Sequence, residues 1–216
     1  MKQDFVELLW LWKYSGPPPD ANHNLDLRMP YFILMDMHEA GLLYKYAVEQ
    51  SKIWHEESGQ AILEIGRHLG GATVLLAVAT HNSDMKIVSV DIHDPFAQAQ
   101  TYYNTPHHTT SRYVDDWLND YEEKERIDIR VDNSWAMENL PLSMLFVDGD
   151  HSYEGIKKDF YHHWNYLHGR CLCHDYTDPT CEGVTKFIDE WVEEGYAEII
   201  EQVGTMVALR KLKNVK

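Results

Sequence analysis

The sequence predicts an α/β fold, a doubly wound and mostly parallel sheet of seven strands, the last one antiparallel, with helices on both faces. Two observations carry this. From residue 61 onward, short apolar runs alternate with longer helical segments, and strands separated by helices pair in parallel through crossovers. The chain then closes on two strand-like stretches, 197–203 and 205–211, split by Gly204, which form a hairpin and supply the antiparallel strand.

Each element follows from its local pattern. Residues 36–55 form a helix, with Leu42, Leu43, Tyr46, Ala47 and Ile53 on roughly one face. "AILEIG" (61–66) is a buried strand, and "GGATVLLAVATHN" (70–82) is a helix of small residues packed close to it. "KIVSVDIH" (86–93), "IDIRVDNS" (127–134) and "SMLFVDGD" (143–150) are the next three strands. "YEGIKKDFYHHWNYL" (153–167) is a helix, "RCLCHDY" (170–176) the fifth strand, and "CEGVTKFIDEWVEEG" (181–195) the last helix. The aromatic and Pro-rich residues 1–30 have no clear period. They are expected to form a lid or to pack on a second copy of the chain, which would make the protein a homo-oligomer. The division expected is an extension and helix over 1–56 and one ligand-binding domain over 57–216.

Composition narrows the function. The chain of 216 residues suits one α/β domain. Its net charge of −16 argues against nucleic acid and against anionic membrane surfaces, both of which call for excess Lys and Arg. There is no apolar run of the ~18–20 residues a membrane span needs, and no signal-peptide pattern at the start. A cytoplasmic protein acting on a small molecule is expected. The 3 cysteines, Cys171, Cys173 and Cys181, suit reduced thiols, since a zinc site of cysteines would need a second pair.

The ends of the strands carry the chemistry. Glu64, Gly66, Gly70, Gly71 and Thr73 lie between the first strand and its helix, where glycines allow close approach of a ligand and the helix start offers free N–H groups. The spacing is neither the Gly-x-Gly-x-x-Gly of dinucleotide sites nor a phosphate loop. Asp91, at the tip of the second strand, occupies the position that accepts the two hydroxyls of a ribose. Asn133 and Ser134 end the third strand, where an adenine edge would lie. The fourth strand runs straight into Asp148-Gly149-Asp150-His151.

Taken in order, "ILEIGRHLGGATVLLA", "IVSVDIH", "LFVDGDHSYEGIKKDF", "GRCLCHDY" and "VGTMVALRK" resemble the class I S-adenosylmethionine-dependent methyltransferases. The closest resemblance is to their small metal-dependent O-methyltransferase branch, which includes catechol-type and macrolide-sugar enzymes. The resemblance covers about residues 60–212. It implies a Rossmann-like sheet, S-adenosyl-L-methionine as cofactor, and Mg²⁺ or another divalent cation. It implies that Glu64 to Gly71 hold the methionine portion, Asp91 the ribose and Ser134 the adenine region. It further implies that Asp148 and Asp175 bind the metal, with Asp148 also bordering the cofactor, and that His151 is the general base. Mg²⁺ suits two carboxylates, and an imidazole is a competent proton acceptor near neutrality.

Departures remain. Catechol-type enzymes follow the fifth-strand aspartate with an asparagine ligand, where this chain has Tyr176; Asp178 or water could fill that place. The base of catechol-type enzymes is a lysine, whereas His151 is similar to the base of the sugar-modifying relatives, and that resemblance leans the acceptor toward an aliphatic or sugar hydroxyl. His174 either orients Asp175 or is a satisfied strand histidine. His162-His163 are expected to be partly exposed surface, His107-His108 could border the acceptor pocket, and 115–125 to be a solvated helix face. The alternatives are an NAD-dependent oxidoreductase on a similar sheet and an idle nucleoside-binding assembly subunit.

Overall fold

A computed structural model describes residues 35–53, 59–68, 70–93 and 124–216. The expectations for residues 1–30, for His107-His108 and for most of 115–125 lie outside the described residues. The seven strands are β1 (Ala61–Ile65), β2 (Lys86–Asp91), β3 (Ile127–Val131), β4 (Leu142–Val147), β5 (Leu167–Cys173), β6 (Ala197–Val203) and β7 (Met206–Lys211). They form one sheet in the order β3-β2-β1-β4-β5-β7-β6. Pairing is parallel from β3 to β5, and β7 runs antiparallel to both β5 and β6. Among the described residues the α-helices are α1 (Met37–Ile53), α2 (Gly71–Ala79), α3 (Tyr153–His163) and α4 (Glu182–Glu193).

Period-two alternation along the central strands divides the core into two layers. Leu63, Ile65, Val88, Leu145 and Val147 face α3 and α4, where Ile156, Phe160, Trp164, Phe187 and Trp191 cover them. Ile62, Ile87, Phe146 and Leu172 face α1 and α2, meeting Leu43, Tyr46, Leu75 and Leu76. Each fully buried side chain of this kind contributes roughly 1.5–3 kcal/mol. Since α1 shares that layer, its first turn is held against the sheet near the ends of β5 and β7.

Element boundaries differ from the sequence reading mainly where strands stop. Residues 132–134 leave the β3 ladder, and Ser134–Ala136 make a single 3-10 turn. The fifth strand starts earlier than expected, because Leu167 pairs with Leu142. It ends at Cys173, and Asp175 (φ 60) and Thr177 (φ 70) turn the chain aside. The helix after β4 is capped by Ser152, whose Oγ accepts from Gly155 N at 3.0 Å; His151 is thus free of capping duty. Among the described residues, no helix is long and apolar enough to cross a membrane.

Candidate active site

The strand order reverses between β1 and β4, the place where open α/β sheets bind ligands. A cavity of about 990 Å³ opens there, at the upper end of the range for small-molecule sites. Gly66 leaves β1 with φ 89, and a Cβ at that position would run into the backbone carbonyl of Asp148. The two strand ends are pinned together: Asp148 N donates to Ile65 O at 2.8 Å, and Gly66 N donates to Val90 O at 2.9 Å.

One end of the cavity is built from β1, β2 and the turn after β3. One oxygen of the Asp91 carboxylate accepts from His68 N and the other from His93 N, both at 2.8 Å. Each oxygen keeps a second lone pair, so the fixed carboxylate can accept a pair of hydroxyls. Asp132, Asn133, Ser134 and Trp135 continue the wall. Ser134 Oγ donates to the buried Asp159 carboxylate, and the Ser134 carbonyl lies 2.9 Å from His163 Nε2. Burial pushes Asp159 up to about 6, the Ser134 hydrogen bond notwithstanding. Burial likewise pushes His163 down to about 4, with His162 nearby adding to the shift. His163, 1% exposed, is therefore a buried support for this turn, contrary to the surface role expected of it; α3 presents Asp159, Phe160 and His163 inward.

The glycine loop is divided. Gly66 borders the cavity, whereas Glu64, Gly70, Gly71 and Thr73 lie off its wall. Gly70, with φ 85, turns the chain into α2. Glu64 is fully buried and accepts from Thr73 Oγ1 at 2.5 Å. Burial pushes its carboxyl up to about 7, against the pull of Ser89, Thr73 and Arg67.

At the other end, the loops after β4 and β5 bring Asp148, His151, His174 and Asp175 together. His151 Nε2 lies 3.1 Å from Asp175 Oδ2 and 3.7 Å from Asp148 Oδ1. His174 Nδ1 is 3.3 Å from Asp148 Oδ1 and 3.3 Å from Asp175 Oδ1. The Asp148 carboxylate, foremost, raises the pKa of His151 against the effect of burial. Burial works to lower His174, but the hydrogen bonds to Asp148 and Asp175 prevail and push it up to about 11. Burial works to raise Asp148, and the two imidazoles overcome it and hold it below its ordinary value. On its far side, His151 Nδ1 lies 3.4 Å from Cys181 Sγ. Ligand atoms of Asp148, His174 and Asp175 all lie within 4.8 Å of one another, as do those of His151, Asp175 and Cys181. These donor sets fit a divalent cation. Tyr176 does not join them: its hydroxyl donates to Asp189 at 2.8 Å, toward α4. Asp178 instead accepts from Thr180 N and Oγ1, both at 2.7 Å.

Several residues of the cavity escape a reading of the sequence. Trp135 is 46% exposed, with Lys158 Nζ 5.5 Å from its ring centroid, and both line the wall. Asp159 and His163 look like surface charges on a helix. Glu39, on α1, is 135 positions from His174 in sequence yet touches it.

A sheet of this strand order with an antiparallel β7, a cavity at its switch point, an acid at the tip of β2 and a charged cluster after β4 has the build of a class I S-adenosylmethionine-dependent methyltransferase. The family profile described as a methyltransferase domain matches residues 63–176, more than half of the chain, and the chain belongs to that family. No curated protein sequence matches significantly. Solved structures share the fold. The O-methyltransferase NovP superposes with a TM-score of 0.63 at 14% identity, over 84% of this chain and 82% of its own. The SAH-bound methyltransferase PaMTH1 of Podospora anserina gives 0.57 at 12% identity, over 99% and 97%. The O-methyltransferase TomG of Streptomyces achromogenes, solved with SAM, gives 0.54 at 17%, over 84% and 82%. Family membership sets aside the nicotinamide alternative.

Proposed function

We propose that the protein transfers the methyl group of S-adenosylmethionine to a hydroxyl of a small molecule such as a sugar, natural product or other polyol, assisted by a divalent cation. The observation that carries this reading is the meeting of Asp148, His151 and Asp175 at one end of a cavity whose other end suits a nucleoside. The names of NovP and TomG as O-methyltransferases support oxygen as the acceptor atom.

Charge supports the donor. Asp91, Asp132, Asp148, Asp150, Asp159 and Asp175 border the cavity, against Arg67, Lys158 and the imidazoles of His151 and His174. An acidic wall favours the sulfonium of S-adenosylmethionine over the neutral product sulfide. Asp91 would hold the ribose hydroxyls, and the turn at Asn133 and Ser134 the adenine. Asp148 and Asp175 would hold the cation, which when bound lowers the pKa of the acceptor hydroxyl. His151 Nε2 takes that proton. The acceptor oxygen then attacks the methyl carbon in line with the C–S bond, whose electron pair returns to sulfur. The products are a methyl ether, S-adenosylhomocysteine and a protonated His151.

The test is steady-state methyl transfer with and without chelator. Chelation should abolish turnover and leave S-adenosylhomocysteine binding intact by calorimetry, and restored cation should return activity. Undiminished turnover in excess chelator would refute the metal-assisted reading.

A further inference from the structure

Two carboxylates alone hold Mg²⁺ weakly against water, so the question is what completes the site. His174 follows directly on β5, its N donating to Val147 O at 3.1 Å, and the residue is 8% exposed. Its two nitrogens face different partners. Nδ1 stands equally far, at 3.3 Å, from Asp148 Oδ1 and Asp175 Oδ1. Ligand atoms of the three residues thus lie within 4.8 Å of one another, near enough to share one small cation. Nε2 lies 3.3 Å from Glu39 Oε2.

Glu39 is an anchored anion. Its Oε1 accepts from Thr205 N at 2.7 Å and Thr205 Oγ1 at 2.8 Å, and its Oε2 accepts from Asp36 N at 2.8 Å. A buried carboxylate so fixed accepts a hydrogen bond from His174 Nε2–H and directs Nδ1 between the two aspartates, where a bound cation would take the place of the Nδ1 proton. Histidines that bind metals are oriented in this way by a carboxylate behind them. The two other residues considered for the position are engaged elsewhere, Tyr176 with Asp189 and Asp178 with Thr180.

We propose that His174 Nδ1 is the third protein ligand beside Asp148 and Asp175, and that Glu39 is its positioning residue. The inference rests on the metal-assisted reading and refines it. One imidazole with two carboxylates suits Mn²⁺, Fe²⁺ or Co²⁺, whereas oxygen-only sites suit Mg²⁺. The centre therefore selects a first-row transition ion over Mg²⁺ beyond the general preference of any site for such ions.

The test uses the purified chain with Mn²⁺ alone, read by pulsed electron paramagnetic resonance, and with Co²⁺ and Mg²⁺ competing for the Mn²⁺ site. Bound Mn²⁺ should show ¹⁴N modulation that persists in His151→Ala and disappears in His174→Asp. The Co²⁺-over-Mg²⁺ ratio should fall at least about tenfold in His174→Asp, and Glu39→Gln should weaken Mn²⁺ by roughly 10–100-fold while keeping the nitrogen signal. If circular dichroism shows that His174→Asp does not fold, His174→Gln serves for the same loss of signal. Mn²⁺ bound without ¹⁴N modulation, or modulation lost only in His151→Ala, would overturn the assignment and leave the metal-assisted reading standing. No Mn²⁺ binding at all would overturn both this assignment and the metal-assisted reading.

Discussion

The two ends of the cavity are built by different means. At the nucleoside end, two polar side chains are already tied to the protein: Asp91 to the backbone N–H groups of His68 and His93, Ser134 to Asp159. At the other end, the Asp148 and Asp175 carboxylates face the imidazoles of His151 and His174 at 3.1–3.7 Å. The first arrangement fixes a shape before the ligand arrives, which lowers the cost of binding. The second places ionisable groups against each other, where protons can move and a cation can be held. Binding and chemistry should therefore separate in mutants.

The largest expected effect is on chemistry. His151→Ala should lower kcat by roughly 10²–10⁴, the usual range for a general base, and remove the acidic limb of the pH–rate profile. S-adenosylhomocysteine affinity should hardly change. A parallel loss of affinity would show that the two ends are not independent.

Gly66→Ala should damage both ends together, since Gly66 sits where β1 closes on β4. The added Cβ meets the Asp148 carbonyl, and φ 89 strains any other residue. Overpacking of this kind costs about 1–3 kcal/mol, to be read as a lowered urea midpoint with weakened cofactor binding. Asp91→Ala should act on one end alone. Loss of charged hydrogen bonds worth roughly 1.5–3 kcal/mol weakens S-adenosylmethionine at least about tenfold by calorimetry, with the fold retained. Unchanged affinity would remove Asp91 from the ribose site.

A smaller effect concerns the buried groups behind the nucleoside end. His163, pushed down to about 4 from 6.5, contributes stability that is full above pH 6.5 and is lost as pH falls toward 4. Glu64, pushed up to about 7 from 4.5, contributes stability present below pH 4.5 and lost as pH rises through 7. Between pH 7 and 5 the two oppose each other, each by about 2 kcal/mol. Glu64→Gln should thus lose stability on acidification more steeply than wild type, and His163→Gln less steeply. Urea denaturation of the three proteins at pH 7 and pH 5 checks the signs.

How much was legible in the sequence follows the same division. Strands buried on both faces give unbroken apolar runs, so the strands of the sheet could be read directly. The order in which they lie, reversing between β1 and β4, emerges only in the fold. The cluster from Asp148 to His151 was legible because it begins directly after a strand end, whereas Asp175 and the role of each residue came through the family resemblance. Glu64 marks the limit. A carboxylate one residue before the strand end looks the same in sequence whether it faces the cavity or the layer beneath, and here it meets Thr73 under α2. The Glu39–His174 pair was out of reach for another reason: a contact between α1 and the loop after β5 depends on how α1 lies across the sheet. His163 looked like a solvated helix residue because nothing local reveals the turn it supports together with Asp159.

The most direct test of the account follows the label from S-adenosylmethionine carrying a tritiated methyl group. The purified protein would be offered small hydroxyl, amine and thiol acceptors, with divalent cation or with chelator. The account predicts label in a methyl ether of a hydroxyl acceptor, formed only with the cation present and nearly abolished in His151→Ala. Label on nitrogen or sulfur, or a methyl ether formed equally well in chelator, would contradict it.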